Sequence, residues 1–352
     1  MRGGEKVLSE ICALFPEAPL YTHVFVPDKV DPLFKSHPVR ESFIARLPGA
    51  RRGCQKYLPL MPLALKQLDL EGFDLIISSE SGPAKGIRKP AGATHVCYCH
   101  TPMRYLYDLH DDYFRRGNLV EKTAMLLFTE YLRRYDKRSA ESVDLFLANS
   151  HFVAQRIKQV YDRESTVINP PVDTAFFSQT EGIEKKNFYL LAGALVSYKH
   201  PELAIESCLK MGRPLVVAGS GPLEKELRRK YASDLITFVS APAKETLRTL
   251  YASASALLFP GTEDFGIIPV ECQAAGTPVI AHGQGGALET ILPGRTGLFF
   301  HAPTPEALCG AIEEFESRSW ESSFCRENAR QFAPERFREQ FRQAVSELLA
   351  NK

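Results

Sequence analysis

The sequence predicts two doubly wound α/β domains in tandem, on three observations. Short β-rich runs alternate with amphipathic helical stretches along the whole chain, the pattern of parallel strands joined by crossover helices. At 352 residues the chain is long enough to bury two separate cores. Near its middle, Asn169-Pro170-Pro171-Val172-Asp173 interrupts the alternation. Two adjacent prolines break helix and sheet alike, and a fresh strand begins about fifteen residues later.

The elements follow in order. Gly3-Gly4 runs directly into Val7, Leu8, Ile11, Leu14 and Phe15, apolar residues at helical spacing. In a doubly wound domain a glycine turn of this kind normally follows the first strand and opens the first helix. No strand precedes this one, so the expectation is that the domain lacks its first strand or that the true start lies upstream of Met1. Strands are predicted at Tyr21–Val26, Asp74–Ser78, Thr94–Cys99, Asp144–Ala148 and Thr166–Ile168 in the first half. In the second half they are predicted at Phe188–Ala192, Pro214–Ala218, Ile236–Val239, Ala256–Phe259, Pro278–Ala281 and Gly297–Phe300. A last helix from about Pro334 carries Phe337, Phe341, Val345, Leu348 and Leu349 on one face. The domains are therefore drawn as 1–170 and 171–333, followed by a helix at 334–352.

Composition narrows the function classes. A net charge of +1 supplies no basic field for nucleic acid. The eight cysteines, Cys12, Cys54, Cys97, Cys99, Cys208, Cys272, Cys309 and Cys325, contain no C-x-x-C pair and several occupy apolar, core-like positions. They read as reduced thiols of a cytoplasmic protein rather than a disulfide framework or zinc site. No apolar run approaches the ~18–20 residues of a spanning helix, and no signal peptide opens the chain.

The most informative stretch is Glu263-Asp264-Phe265-Gly266-Ile267-Ile268-Pro269-Val270-Glu271, followed by Gly276-Thr277-Pro278-Val279-Ile280. A helix opening at Phe265–Gly266 offers free backbone N–H groups and a positive dipole end to sugar hydroxyls or phosphate. Glu263 sits just before it and Glu271 about two turns on, roughly on the same face. One carboxylate can then meet a reacting sugar while the other takes a pair of ribose hydroxyls. Two glutamates alone are more often solvated acids on an ordinary helix. With Pro260-Gly261 before it and Gly285-Gly286-Ala287-Leu288-Glu289 after it, the stretch resembles the donor site of retaining glycosyltransferase family 4, whose members have the GT-B fold.

Four further stretches carry the same resemblance. Gly3-Gly4 resembles the glycine loop whose backbone approaches the donor diphosphate and the acceptor. Val96-Cys97-Tyr98-Cys99-His100-Thr101-Pro102-Met103-Arg104 places His100 at the C-terminal tip of a strand, the edge where open α/β sheets bind ligands. Its His-Thr-Pro-Met-Arg phrase is similar to a subgroup resembling O-antigen and exopolysaccharide mannosyltransferases. Leu191-Ala192-Gly193-Ala194-Leu195-Val196-Ser197-Tyr198-Lys199 matches the loop that carries a diphosphate-binding lysine. Family members often have arginine after that glycine; Ala194 here removes one expected cation and leaves Lys199 more of the charge. Val217-Ala218-Gly219-Ser220-Gly221-Pro222 is a glycine turn opening a helix, expected to shape the nucleotide pocket.

The resemblance implies two Rossmann-like domains facing a central cleft, with the final helix packing back on the first. It implies retention at the anomeric carbon by front-face attack, without a metal. In that scheme Lys199, Gly193, Gly219 and Gly221 hold the donor with Gly3 and Gly4, and Glu271 holds its ribose. Glu263 and the amides of Phe265, Gly266 and Ile267 orient the sugar, and His100 lines the reaction centre. The residues themselves offer no Asp-x-Asp metal pair, since Asp111 and Asp112 are adjacent and diverge on a helix. GDP-mannose is the expected donor and a glycan or polyprenyl-linked glycan the expected acceptor.

Arg40, Arg46, Arg51, Arg52 and Lys56 precede the apolar Tyr57-Leu58-Pro59-Leu60-Met61-Pro62-Leu63, and Arg133, Arg134, Lys137 and Arg138 form a second basic cluster. Cations beside apolar groups suit an anionic membrane surface and equally a solvated face over a domain core. A non-transferase nucleotide-sugar enzyme of the epimerase type, or a truncated non-catalytic binding protein, are the alternatives. An NAD-dependent oxidoreductase is disfavoured, because no G-x-G-x-x-G follows an N-terminal strand.

Overall fold

In the computed structural model, which describes residues 3–107 and 119–351, every strand pairing is parallel. The chain divides into two units, Met1–Asn169 with Phe337–Lys352, and Pro170–Arg336.

The first unit holds β1 (Leu20–Thr22) paired with β2 (Val39–Glu41). A separate sheet runs in the order β3 (Leu75–Glu80), β4 (Thr94–Cys99), β5 (Leu145–Ala148), β6 (Thr166–Val167). Period-two alternation splits β4 between two cores. Val96 and Tyr98 face one side, where they meet Val7 and Ile11 of the helix Gly3–Leu14 and Phe337, Phe341 and Val345 of the helix Pro334–Ala350. Cys97 and Cys99 face the other, against Val153 and Ile157 of the helix His151–Tyr161.

The second unit is one six-stranded sheet built from β7 (Tyr189–Ala192), β8 (Leu215–Ala218), β9 (Ile236–Val239), β10 (Ala256–Phe259), β11 (Val279–His282) and β12 (Gly297–Phe300). Their spatial order is β12-β11-β10-β7-β8-β9. The chain thus winds outward from β7 in one direction and from β10 in the other. The reversal falls between β7 and β10, the place where doubly wound sheets open a crevice for ligand.

All eleven predicted strands are present, and three details differ. The run Tyr21–Val26 is a strand only to Thr22, because Phe25 N–H turns aside to donate to Glu41 Oε1 at 2.6 Å. β2 was not expected, since its three residues directly after Pro38 are too few to show a pattern. Gly3 and Gly4 form the first turn of a helix rather than a loop before it. All eight thiols are free, and every one but Cys54 is buried.

Candidate functional site

At the chain reversal in the second unit, the segments after β7 and β10 come together. Leu191–Leu195, Lys199, Pro201, Phe259, Pro260, Gly261 and Glu263 line an open depression of about 300 Å³. Lys199 ends a single 3₁₀ turn, Ser197–Lys199; His200 then takes a left-handed conformation (φ +50°) and Pro201 starts the next helix. That geometry swings the ammonium back over the loop. Lys199 Nζ lies 2.5 Å from Glu263 Oε1, both side chains about one-fifth exposed (18% and 21%). Two residues 64 positions apart thereby form an ion pair in a partly desolvated pocket, where charge interactions are stronger than in water.

Close backbone contacts shape this pocket. A Cβ on Gly261 would lie 2.7 Å from Lys199 Cα, and one on Gly286 would lie 2.2 Å from Phe265 Cα. Gly219 and Gly221 are absent from the lining; they press against the Gly193 and Leu195 backbone, where Cβ atoms would come within 1.8 and 2.4 Å of carbonyl oxygens. They support the loop after β7 from behind.

The helix Ile267–Ala274 begins as the sequence predicts. Gly266 (φ +90°) precedes it and, lacking a side chain, supplies no cap of its own to the first-turn amides. Phe265 contributes only backbone, because its ring is buried against Phe332 at 5.4 Å. Glu271 is 6% exposed, and its Oε2 accepts from Tyr251 O–H at 3.2 Å. The bond to Tyr251 fixes one oxygen of the carboxylate.

His100 and Gly4 meet in the first unit. The imidazole Nε2 lies 2.9 Å from Ser79 Oγ, and a Cβ on Gly4 would approach Nε2 to 3.1 Å. His100 N–H donates to Glu80 O at 2.7 Å, and Asn149 Nδ2 donates to His100 O at 2.8 Å. Burial pushes the imidazole pKa down to about 4, so the ring is neutral at physiological pH. Asp111 and Asp112 lie outside the described residues.

One cluster escaped the sequence reading. Lys85 is 0% exposed, and its ammonium contacts both Glu80 Oε1, at 3.1 Å, and Asp136 Oδ1. Lys85 N–H donates to Glu80 Oε2 at 2.7 Å, while Tyr161 and Tyr107 hydroxyls donate to Asp136 Oδ2 at 2.8 and 3.0 Å. Burial holds the Glu80 carboxyl above its ordinary value despite that ammonium. The cluster ties the end of β3 to the helix Leu119–Glu141.

One buried histidine, His95, and one half-buried one, His100, give a pH prediction. Burial lowers His95 and His100 to about 4, against an unfolded value of about 6.5. Between those values the unfolded chain binds more protons, so stability present above pH 6.5 is lost as pH falls through the folded pKa. A melting series from pH 7.5 to 4.5 should show this fall, with a shallower slope in His95→Gln. A flat series would contradict the assignment.

Comparison with known proteins is consistent along the chain. Residues 1–176 match the family described as Glycosyltransferase Family 4, and residues 173–332 match Glycosyl transferases group 1. A D-inositol 3-phosphate glycosyltransferase of Nocardioides sp. is 25% identical over 272 residues, covering 66% of this chain and 58% of that protein. Its counterpart in Pseudarthrobacter chlorophenolicus is 31% identical over 183 residues, 46% of this chain and 41% of that one. The chain therefore spans less than two thirds of the length of these curated relatives. Among solved structures, sucrose-phosphate synthase from Thermosynechococcus elongatus has a TM-score of 0.72 at 20% identity, covering 98% of this chain and 92% of that one. Anabaena Alr3699/HepE, solved with UDP and glucose, has a TM-score of 0.68 at 16% identity, covering 98% and 96%. These likenesses show the GT-B fold.

Proposed function

The chain belongs to glycosyltransferase family 4, and on that footing we propose that it moves a hexosyl group from a nucleotide diphosphate sugar to a glycan or lipid-linked glycan. The observation that carries this is the Lys199–Glu263 pair, set on a glycine loop at the sheet's chain reversal. In this reading the diphosphate competes with Glu263 for Lys199. The ammonium then neutralises the leaving charge, and the freed carboxylate turns to a sugar hydroxyl. The amides at the start of the helix after Gly266 add positive dipole at the same place. Neutral His100 hydrogen-bonds the sugar, and Glu271, held by Tyr251, takes the ribose. The family resemblance adds retention at the anomeric carbon, with the diphosphate oxygen accepting the acceptor's proton and no metal in any step.

Mannose as the sugar, GDP as the carrier and a role in cell-surface polysaccharide synthesis rest on the resemblance of the His100–Arg104 phrase. The test is thermal stabilisation by GDP-, UDP- and ADP-sugars, where a ligand at 100 times its dissociation constant adds about 2.7 kcal/mol. GDP-mannose should give the largest shift. A larger shift with a UDP-sugar, the nucleotide bound by HepE, would replace the donor while keeping the reaction.

Glu271→Ala should raise the donor KM while changing kcat little, because a ribose contact is made before and during reaction. Steady-state kinetics decide it, and an equal fall in kcat and kcat/KM would remove Glu271 from that role.

Peripheral membrane contact by a cytoplasmic enzyme completes the reading. Among the described residues no helix is long and apolar enough to cross a membrane. Leu60 and Leu63 are nonetheless exposed, 39% and 52%, in a segment bounded by exposed Arg52, Lys56 and Lys66. Well-placed cations contribute about 1 kcal/mol each at an anionic surface. Co-sedimentation with phosphatidylglycerol vesicles, lost in Leu60→Asp/Leu63→Asp, is the expected result; no sedimentation of the parent protein would contradict it.

A further inference from the structure

We propose that Ser79 is a positioning residue for His100, its hydroxyl fixing the orientation of the imidazole. The proposal rests on the reading that His100 hydrogen-bonds the donor sugar. Ser79 Oγ lies 2.9 Å from His100 Nε2, within ordinary hydrogen-bond range. The serine cannot drift, because its neighbour is anchored at three points. Glu80 Oε2 accepts from Lys85 N–H and Oε1 faces Lys85 Nζ, while the Glu80 carbonyl accepts His100 N–H at 2.7 Å. The histidine backbone is held from the opposite side by Asn149 Nδ2 at 2.8 Å. Its ring packs edge-on against Tyr98 at 5.1 Å, and the Gly4 backbone closes over Nε2.

A neutral imidazole has one N–H, so one ring nitrogen donates and the other accepts. A serine hydroxyl can donate to Nε2 or accept from it, so its bond holds the ring in either tautomer and leaves Nδ1 the opposite role. Without the hydroxyl the backbone bonds and Tyr98 still hold the residue in place, yet small ring rotations are no longer restrained at Nε2. The expected cost is therefore in turnover rather than folding.

The experiment compares Ser79→Ala and Ser79→Thr in the full chain and in a His100→Ala background. Ser79→Ala should lower kcat roughly 10-fold, the loss of about one hydrogen bond, with donor KM within about 2-fold. Ser79→Thr, which keeps the hydroxyl, should recover most of it, and melting temperatures should stay close. In the His100→Ala background Ser79→Ala should have no further effect, because the two residues act as a unit. Nitrogen-15 shifts of His100, assigned by loss of its signals in His100→Ala, should show a hydrogen-bonded Nε2 in the parent and Ser79→Thr and a displaced Nε2 shift in Ser79→Ala, where that bond is gone. Unchanged shifts in Ser79→Ala, or kinetic effects of the two substitutions that multiply, would overturn the proposal. If His100→Ala alone leaves turnover intact, the sugar contact falls, while the nitrogen shifts still decide whether Ser79 positions the ring.

Discussion

Replacing Lys199 by alanine is expected to lower turnover roughly 100- to 1,000-fold with donor saturating, a loss of about 2.7–4 kcal/mol of transition-state stabilisation. The expectation follows from charge. The loop Gly193–Lys199 contains no other cation, with Ala194 directly after the glycine, so Lys199 is the cation of its loop that faces the proposed diphosphate. The side chain is partly exposed and ends a short 3₁₀ turn, so its removal leaves the six-stranded sheet and both its cores untouched. Circular dichroism and melting should match the parent. Near-normal turnover in Lys199→Ala would remove the lysine from the leaving-group site.

Lys85→Met should act in the opposite manner, on stability before activity. The substitution leaves Glu80 and Asp136 buried without their shared cation, and breaking a buried pair on one side costs roughly 3–5 kcal/mol. Against a total of about 5–15 kcal/mol, that is a large fraction. The loss should shrink on acidification. The Lys85 ammonium pulls the buried Glu80 carboxyl down, so its removal raises that carboxyl further in the variant than in the parent, and protonation returns stability to the variant as pH falls through the raised value. Urea unfolding at pH 8 and pH 5.5 checks both statements. A variant as stable as the parent at pH 8 would show that the cluster contributes nothing net.

The sequence alone revealed the fold more completely than the sites. The strands were legible because each is a short β-rich run bounded by turn residues, as in Leu-Val-Val-Ala at β8 and Ala-Leu-Leu-Phe at β10. β2 was not, since Val39-Arg40-Glu41 has too little length to display alternation. Lys199 and Glu263 were each legible from local motifs, yet their contact depends on β7 and β10 becoming neighbours, which strand order decides and local sequence does not. The same holds for the Lys85 cluster. Lys85 stands in Ser81-Gly82-Pro83-Ala84-Lys85-Gly86, a stretch that reads as a solvated turn, and its second carboxylate lies 51 positions away. Gly219 and Gly221 illustrate a subtler gap. The sequence reads their motif as a glycine turn that shapes a nucleotide pocket; in the structure their close contacts are with the Gly193 and Leu195 backbone, behind the lining of the depression.

The most direct measurement is calorimetric titration of GDP-mannose, with UDP- and ADP-sugars alongside, into the parent protein and Lys199→Ala. One of these donors should bind the parent at a single site, and Lys199→Ala should weaken it by about 10- to 100-fold, the value of a charge-assisted contact. Equal affinity for parent and variant, or no binding of any donor to a folded parent, would contradict placing the donor diphosphate at the reversal between β7 and β10.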